Sequence, residues 1–228
     1  MYLDVMHHFN SVFYGFANSD ILFNEGLIKT LNTAREFIEI SQVSVLITGR
    51  RINVDYRLPC NASDWRNITT VSKKGELVKP YSTDYFITTK HYPWEELDEI
   101  IVGRMRIDNW IIQFSQMKNI TVIDSTSTIL AMHQTTETGN AEGESKDNKY
   151  YNDDIVRKCR SITINVNRGR TDCAEYVTNF TTSELVQLVK QSPQSICNID
   201  NSSKTLDGIF NTFLITCLHC VLVIIINT

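Results

Sequence analysis

Between Val102 and Gln134 the chain gathers an acid, amides, an indole and an imidazole into one short window: Gly103-Arg104, Asp108-Asn109-Trp110, Asp124-Ser125-Thr126 and His133-Gln134. Carboxylates and imidazoles move protons and hold divalent cations, and guanidinium groups steady phosphate charge. Trp110, Ile111, Phe114 and Met117 recur at helical spacing, whereas Ile120, Val122 and Ile123 read as a short buried strand. Asp108 therefore stands where a helix begins. A carboxylate there either caps backbone N–H groups, kept ionised by the positive helix end, or serves as a base. Trp110 could wall a sugar ring, although its spacing with Ile111 and Phe114 equally fits a core position. His133, ahead of a polar loop, reads either as a ligand or as an exposed histidine.

The elements that must position these groups alternate. Gly15 to Phe23 is a strand with a polar break at Asn18-Ser19-Asp20, and Asn24 caps a helix whose apolar stripe is Leu27, Leu31, Ala34 and Ile38. A buried strand follows at Val43 to Thr48, closed by Gly49-Arg50-Arg51. Cys60 to Glu76 reads as a polar surface loop, and Tyr85-Phe86-Ile87 as another short strand. Thr135 to Asp154 is polar and turn-forming. Ile162, Ile164 and Val166 alternate as a later strand, and Thr181 with Glu184 marks a capping box for a helix through Gln191. Strands alternating with helices predict an α/β fold, with a mixed sheet flanked by helices.

The 228 residues suffice for one sizeable domain. A net charge of −4 leaves no basic footprint for nucleic acid, which is not an expected partner. Asn61, Asn67, Asn119, Asn179 and Asn201 each begin an Asn-x-Ser/Thr sequon, which supports a secretory-pathway location. Cys60, Cys159, Cys173 and Cys197 lie in polar surroundings and are expected to form two disulfides, in any of three connectivities. The tail from Phe213 to Ile226 is continuously apolar. Preceded by small residues at Asn201, Ser202 and Ser203 and a polar spacer through Thr212, it has the layout of a glycolipid-anchor signal, or else of a short tail anchor in the membrane. Met1 to His8 lacks a charged region followed by an apolar run and does not read as a signal peptide, so a late start of the chain is expected.

Taken in order, Asn18-Ser19-Asp20-Ile21-Leu22-Phe23, Gly49-Arg50-Arg51, Asp84-Tyr85-Phe86, Gly103-Arg104, Asp108-Asn109-Trp110, Asp124-Ser125-Thr126 and His133-Gln134 resemble nucleotide-diphospho-sugar transferase-like proteins of the GT-A glycosyltransferase class. The resemblance implies a partial GT-A-like, Rossmann-like domain over residues 1–134. A polar linker at 135–154, an α/β extension at 155–200 and a spacer with hydrophobic tail at 201–228 follow it. It implies transfer of a sugar from a nucleotide sugar to a glycan or glycoprotein acceptor, in the Golgi lumen or at the cell surface. Asp20, Asn18 and His133 would hold Mn²⁺ or Mg²⁺, and Asp108 would be the base on the acceptor hydroxyl. Arg104, Asn109, Trp110 and Asp124 would bind substrate, with Arg106 beside Arg104 steadying phosphate. The class places a nucleotide-binding half ahead of its Asp-x-Asp-like element, which here begins at residue 18, so the base-and-ribose pocket is expected to be missing. The alternative is a catalytically inactive binding or cell-surface protein on a transferase scaffold.

Overall fold

A computed structural model describes residues 2–135, 146–192, 194–197 and 221–226, the last by backbone alone. The chain opens with α1 (Tyr2–His8), then β1 (Phe13–Asn18) and β2 (Ile21–Phe23). Helix α2 (Gly26–Ser41) leads into β3 (Val45–Thr48) and β4 (Arg51–Val54), followed by α3 (Trp65–Ser72), β5 (Glu76–Leu77) and β6 (Tyr85–Thr89). Helix α4 (Ile107–Met117) precedes β7 (Thr121–Asp124) and β8 (Ala131–Gln134). After α5 (Tyr151–Arg160) come β9 (Tyr176–Phe180), β10 (Val186–Lys190) and β11 (Val221–Ile226).

Two mixed sheets result. The larger has the order β10-β9-β7-β3-β6-β1-β11 and the smaller β2-β8-β4-β5. In the larger sheet β3 pairs parallel with β7, and β6 runs antiparallel to both β3 and β1, so β1, β3 and β7 all point the same way. The strand interiors are apolar runs buried on both faces, as expected where helices cover a sheet from either side. Alternation assigns the faces. Val45 and Ile47 join Leu27, Leu31 and Ala34 of α2, whereas Leu46 joins Trp110, Ile111 and Phe114 of α4 and Val156 of α5. On the small sheet, Val54 and Met132 pack against Ile68 and Val71 of α3. Glu25, not Asn24, holds the cap position of α2 and makes no side-chain cap bond; Asn24, one residue earlier, accepts the Gly26 N–H at 3.0 Å.

Several local expectations are corrected. The stretch from Cys60 to Glu76 contains a helix, because Ile68 and Val71, three residues apart, reach the small sheet; Asp64 caps it by accepting the Arg66 N–H at 2.9 Å. Ile162 to Val166 forms no strand and packs as irregular chain with Ile164 buried. Thr181 to Gln191 is not a helix. Thr181 and Glu184 instead form the turn of the β9–β10 hairpin, where Leu185 N donates to Thr181 Oγ1 and Glu184 takes a left-handed φ of 59°. The same side-chain-to-backbone bond that caps a helix here closes a turn. Among the described residues one disulfide, Cys173–Cys197, is present, and Cys60 and Cys159 form none there. Helix α5 lies across the end of the expected linker, of which residues 136–145 fall outside the described ones. Most of the spacer and tail, residues 201–220, does too; residues 221–226 pair antiparallel with β1 as β11. Among the described residues, no helix is long and apolar enough to cross a membrane.

Leu31 is 1% exposed on the inner face of α2, while Ile40, nine residues on in the same helix, is 86% exposed. Leu31→Ala is expected to lose about 2–5 kcal/mol of unfolding free energy, and Ile40→Ala less than about 0.5 kcal/mol. Urea denaturation of the two variants checks the inner face, and equal losses would mean that α2 is packed differently.

Candidate functional site

Strands β1, β3 and β7 each deliver the chain into the small sheet at their carboxyl ends: β1 to β2 through Ser19 and Asp20, β3 to β4 through Gly49 and Arg50, and β7 to β8 through Ser125 to Leu130. The carboxyl edge of such strands is where α/β sheets open a crevice. Three of the polar motifs found in the sequence lie on these three crossings.

Asp20 is half-exposed on the first crossing, and its Oδ2 lies 3.0 Å from Nε2 of His133, 113 residues away. His133 is buried in β8, opposite Ile21 of β2 on one side and Asn53 of β4 on the other. The hydrogen bond from His133 holds the Asp20 carboxyl below its ordinary range, with the nearby Arg51 charge a smaller contributor. The other imidazole nitrogen, Nδ1, is buried with no hydrogen-bond partner among the described residues.

A second group adjoins the first. Arg51, at the start of β4, donates to Asp84 and, at 2.8 Å, to Asn53 Oδ1. Asn18 donates its side-chain amide to the other Asp84 oxygen at 2.9 Å, and its backbone N–H to the Asp84 carbonyl at 2.9 Å. Asp84 is largely buried, so these donors offset the cost of holding a charge there. The sequence reading missed Arg51, Asn53 and Asp84 as site residues. Arg51 and Asp84 stood in the resembling motifs Gly49-Arg50-Arg51 and Asp84-Tyr85-Phe86 without an assigned role, and Asn53 stood in none.

Asp108 lies in the first turn of α4 instead of at its cap; Arg106, with a left-handed φ of 67°, holds the cap position. The Asp108 carboxylate accepts the Asn109 N–H at 2.9 Å and the Thr83 N–H at 3.2 Å, next to Asp84 in the chain. Burial is the main force raising its pKa from 3.8 to about 6, with the Asp84 charge adding to it. Asp124 is raised as well, by burial first, while its Oδ1 accepts the backbone and hydroxyl of Thr126.

The remaining expected substrate residues lie elsewhere. Trp110 is fully buried in the core beside Phe114, its indole N–H without a partner among the described residues, so of its two readings the core one describes its place. Asn109 is buried and ties together the Tyr81 and Gly169 carbonyls. Arg104 donates to Gly103 O in a turn held by Asn152 of α5, and Arg106 pairs with Asp153. An apolar cavity under α1, lined by Tyr2, Phe16, Phe86, Trp94 and Ile111, carries one acid, Asp98, already paired with Arg160. It offers little to acid–base chemistry.

Among the described residues no group of three or more His, Cys, Asp or Glu side chains is arranged to hold a metal. Two donors are nevertheless suitably spaced. Adjacent ligands of an octahedral ion bound at 2.0–2.1 Å stand about 3 Å apart, as Asp20 Oδ2 and His133 Nε2 do at 3.0 Å. Asn18, the third expected ligand, directs its amide nitrogen to Asp84. Holding an ion there would require the His133–Asp20 hydrogen bond to open, with water and substrate phosphates as the other ligands. Comparison with protein-family models, with curated proteins and with solved structures finds no match to this chain.

Because the folded pKa of Asp108 is raised, the neutral carboxyl favours folding below the unfolded value of 3.8, and that contribution is lost as pH climbs through about 6. At one pKa unit per 1.36 kcal/mol the loss is at most about 3 kcal/mol. Asp108→Asn is expected to flatten stability between about pH 4 and about pH 6. Thermal denaturation across pH measures the slope. An unchanged slope in the variant would assign the titration to another group.

Proposed function

We propose that the edge where β1, β3 and β7 end is a sugar-transfer site of the nucleotide-diphospho-sugar transferase type, GT-A-like in arrangement, acting on a nucleotide sugar and an acceptor hydroxyl. The observation that carries this reading is the 3.0 Å approach of Asp20 and His133 at that edge, from opposite ends of the resembling region. Asp20 and His133 would hold Mn²⁺ or Mg²⁺, which when bound supplies charge stabilisation to a departing diphosphate. The lowered Asp20 pKa keeps its carboxylate anionic at neutral pH, and the pairing of β8 with β2 and β4 on its two sides fixes the backbone of His133.

Arg51 is better located than Arg104 to attract phosphate, since it is close enough to Asp20 to influence its titration. Its pairing with Asp84 also holds it in one orientation. Asp108, with a pKa of about 6, is ionised at neutral pH yet basic enough to take a proton from an acceptor hydroxyl. Asn109 and the left-handed Arg106 hold the first turn of α4 in place behind it. Membrane attachment through the tail, which would require residues 221–226 to leave β1, and a place in the secretory pathway belong to the same proposal.

A second reading, a transferase scaffold that binds ligand without catalysis, is favoured by one observation: the Asn18 amide is committed to Asp84 and adds no acidic ligand beside Asp20. The two readings differ in metal dependence. Mn²⁺ binding to the full chain, followed by the electron-spin resonance of free Mn²⁺ with pyrophosphate present, is expected to weaken by about tenfold or more in Asp20→Asn and in His133→Ala. Binding that is absent in the native chain, or equal in all three proteins, would sink the metal site and favour the scaffold.

A further inference from the structure

We infer that Asn61 and Asn119 are acceptor sites for N-linked oligosaccharide, a modification independent of the transfer reaction proposed above. Both begin sequons, Asn61-Ala62-Ser63 and Asn119-Ile120-Thr121, and both asparagines are exposed. Asn61 Oδ1 accepts the Ser63 N–H at 3.1 Å, an Asx turn that draws the sequon's two functional residues together on an exposed loop. Asn119 sits in the turn between α4 and β7 with a left-handed φ of 54°. That turn precedes β7, so a glycan there projects from the end of the large sheet opposite the carboxyl edge and leaves Asp20 and His133 open.

The other sequons are less well presented. Asn67 lies in α3, where its Oδ1 accepts the Asn61 N–H at 2.8 Å, and Asn179 is part-buried within β9; Asn201 falls outside the described residues. The Cys173–Cys197 disulfide is an independent observation, since such bonds persist in the oxidising compartments where this modification is made. In the transfer, the asparagine amide nitrogen bonds to the anomeric carbon of a lipid-diphosphate-linked oligosaccharide. The anomeric C–O bond breaks, the lipid diphosphate departs and the amide nitrogen gives up one proton. Thr121 is buried at the start of β7, so modification of Asn119 precedes closure of the sheet, whereas the Asn61 loop stays accessible afterwards.

The test is to isolate the full chain from cells that make it and treat half with peptide N-glycosidase, which converts a glycan-bearing asparagine to aspartate. Peptide mass spectrometry is expected to read Asp at positions 61 and 119 in the treated half only, and Cys173 linked to Cys197 without reductant. Asn61→Gln and Asn119→Gln should each remove one step from the electrophoretic shift on deglycosylation. Unmodified asparagine at either position in the treated protein overturns the assignment.

Discussion

The three-fold crossing from the large sheet to the small one is the constraint on which the rest of the molecule depends. Each time a core strand ends, the chain must bend sharply, and the backbone groups that leave the ladder need new partners. The crossings supply them to one another. Ser125 N donates to Thr48 O at 2.8 Å, Arg50 N donates to Thr126 Oγ1 at 2.9 Å, and the Ser125 hydroxyl joins Thr48 O to the Tyr85 hydroxyl. Gly49 is required at the centre of this contact. A Cβ there would stand 2.3 Å from Tyr85 Oη and 2.9 Å from Thr126 N, closer than any side chain tolerates.

Polar side chains collect at the same edge for the same reason, and their cost explains their pairing. Asp84 is held by Arg51 and Asn18, and removing either leaves a buried charge short of a partner. Asp108, with two backbone donors and no paired cation among the described residues, has its pKa raised to about 6 instead. An acid poised in this way reduces stability at neutral pH, and perturbed acids of this kind gather at functional sites. His133 adds a second departure, an imidazole nitrogen buried without a partner among the described residues, beside an anionic carboxylate. The edge thus combines a rigid backbone with incompletely satisfied acid–base groups, and that combination supports chemistry there better than under α1, where the cavity is apolar.

Legibility differed by element. The stripe of Leu27, Leu31 and Ala34 and the run from Val45 to Ile47 announced α2 and β3, because burial against one sheet imposes a period that survives in the residue order. Helix α3 was hidden: its short length and its asparagines and threonines read as loop, and only the small sheet gives Ile68 and Val71 something to bury against. The Thr181–Glu184 signature misled because one hydroxyl-to-backbone bond serves a helix start and a hairpin turn alike, and pairing with β9 decided between them.

The sequence by itself determined the α/β character, the apolar faces and the identity of the acids and imidazole, since these follow from local periodicity and side-chain chemistry. Tertiary structure alone decided that Asp20 meets His133, that Arg51 holds Asp84, that Trp110 belongs to the core and that Cys173 joins Cys197. Those outcomes depend on strand order and register, which bring together residues as many as 113 positions apart. No local pattern carries that information, because a strand's residues record which face is buried but not which strand will lie beside it.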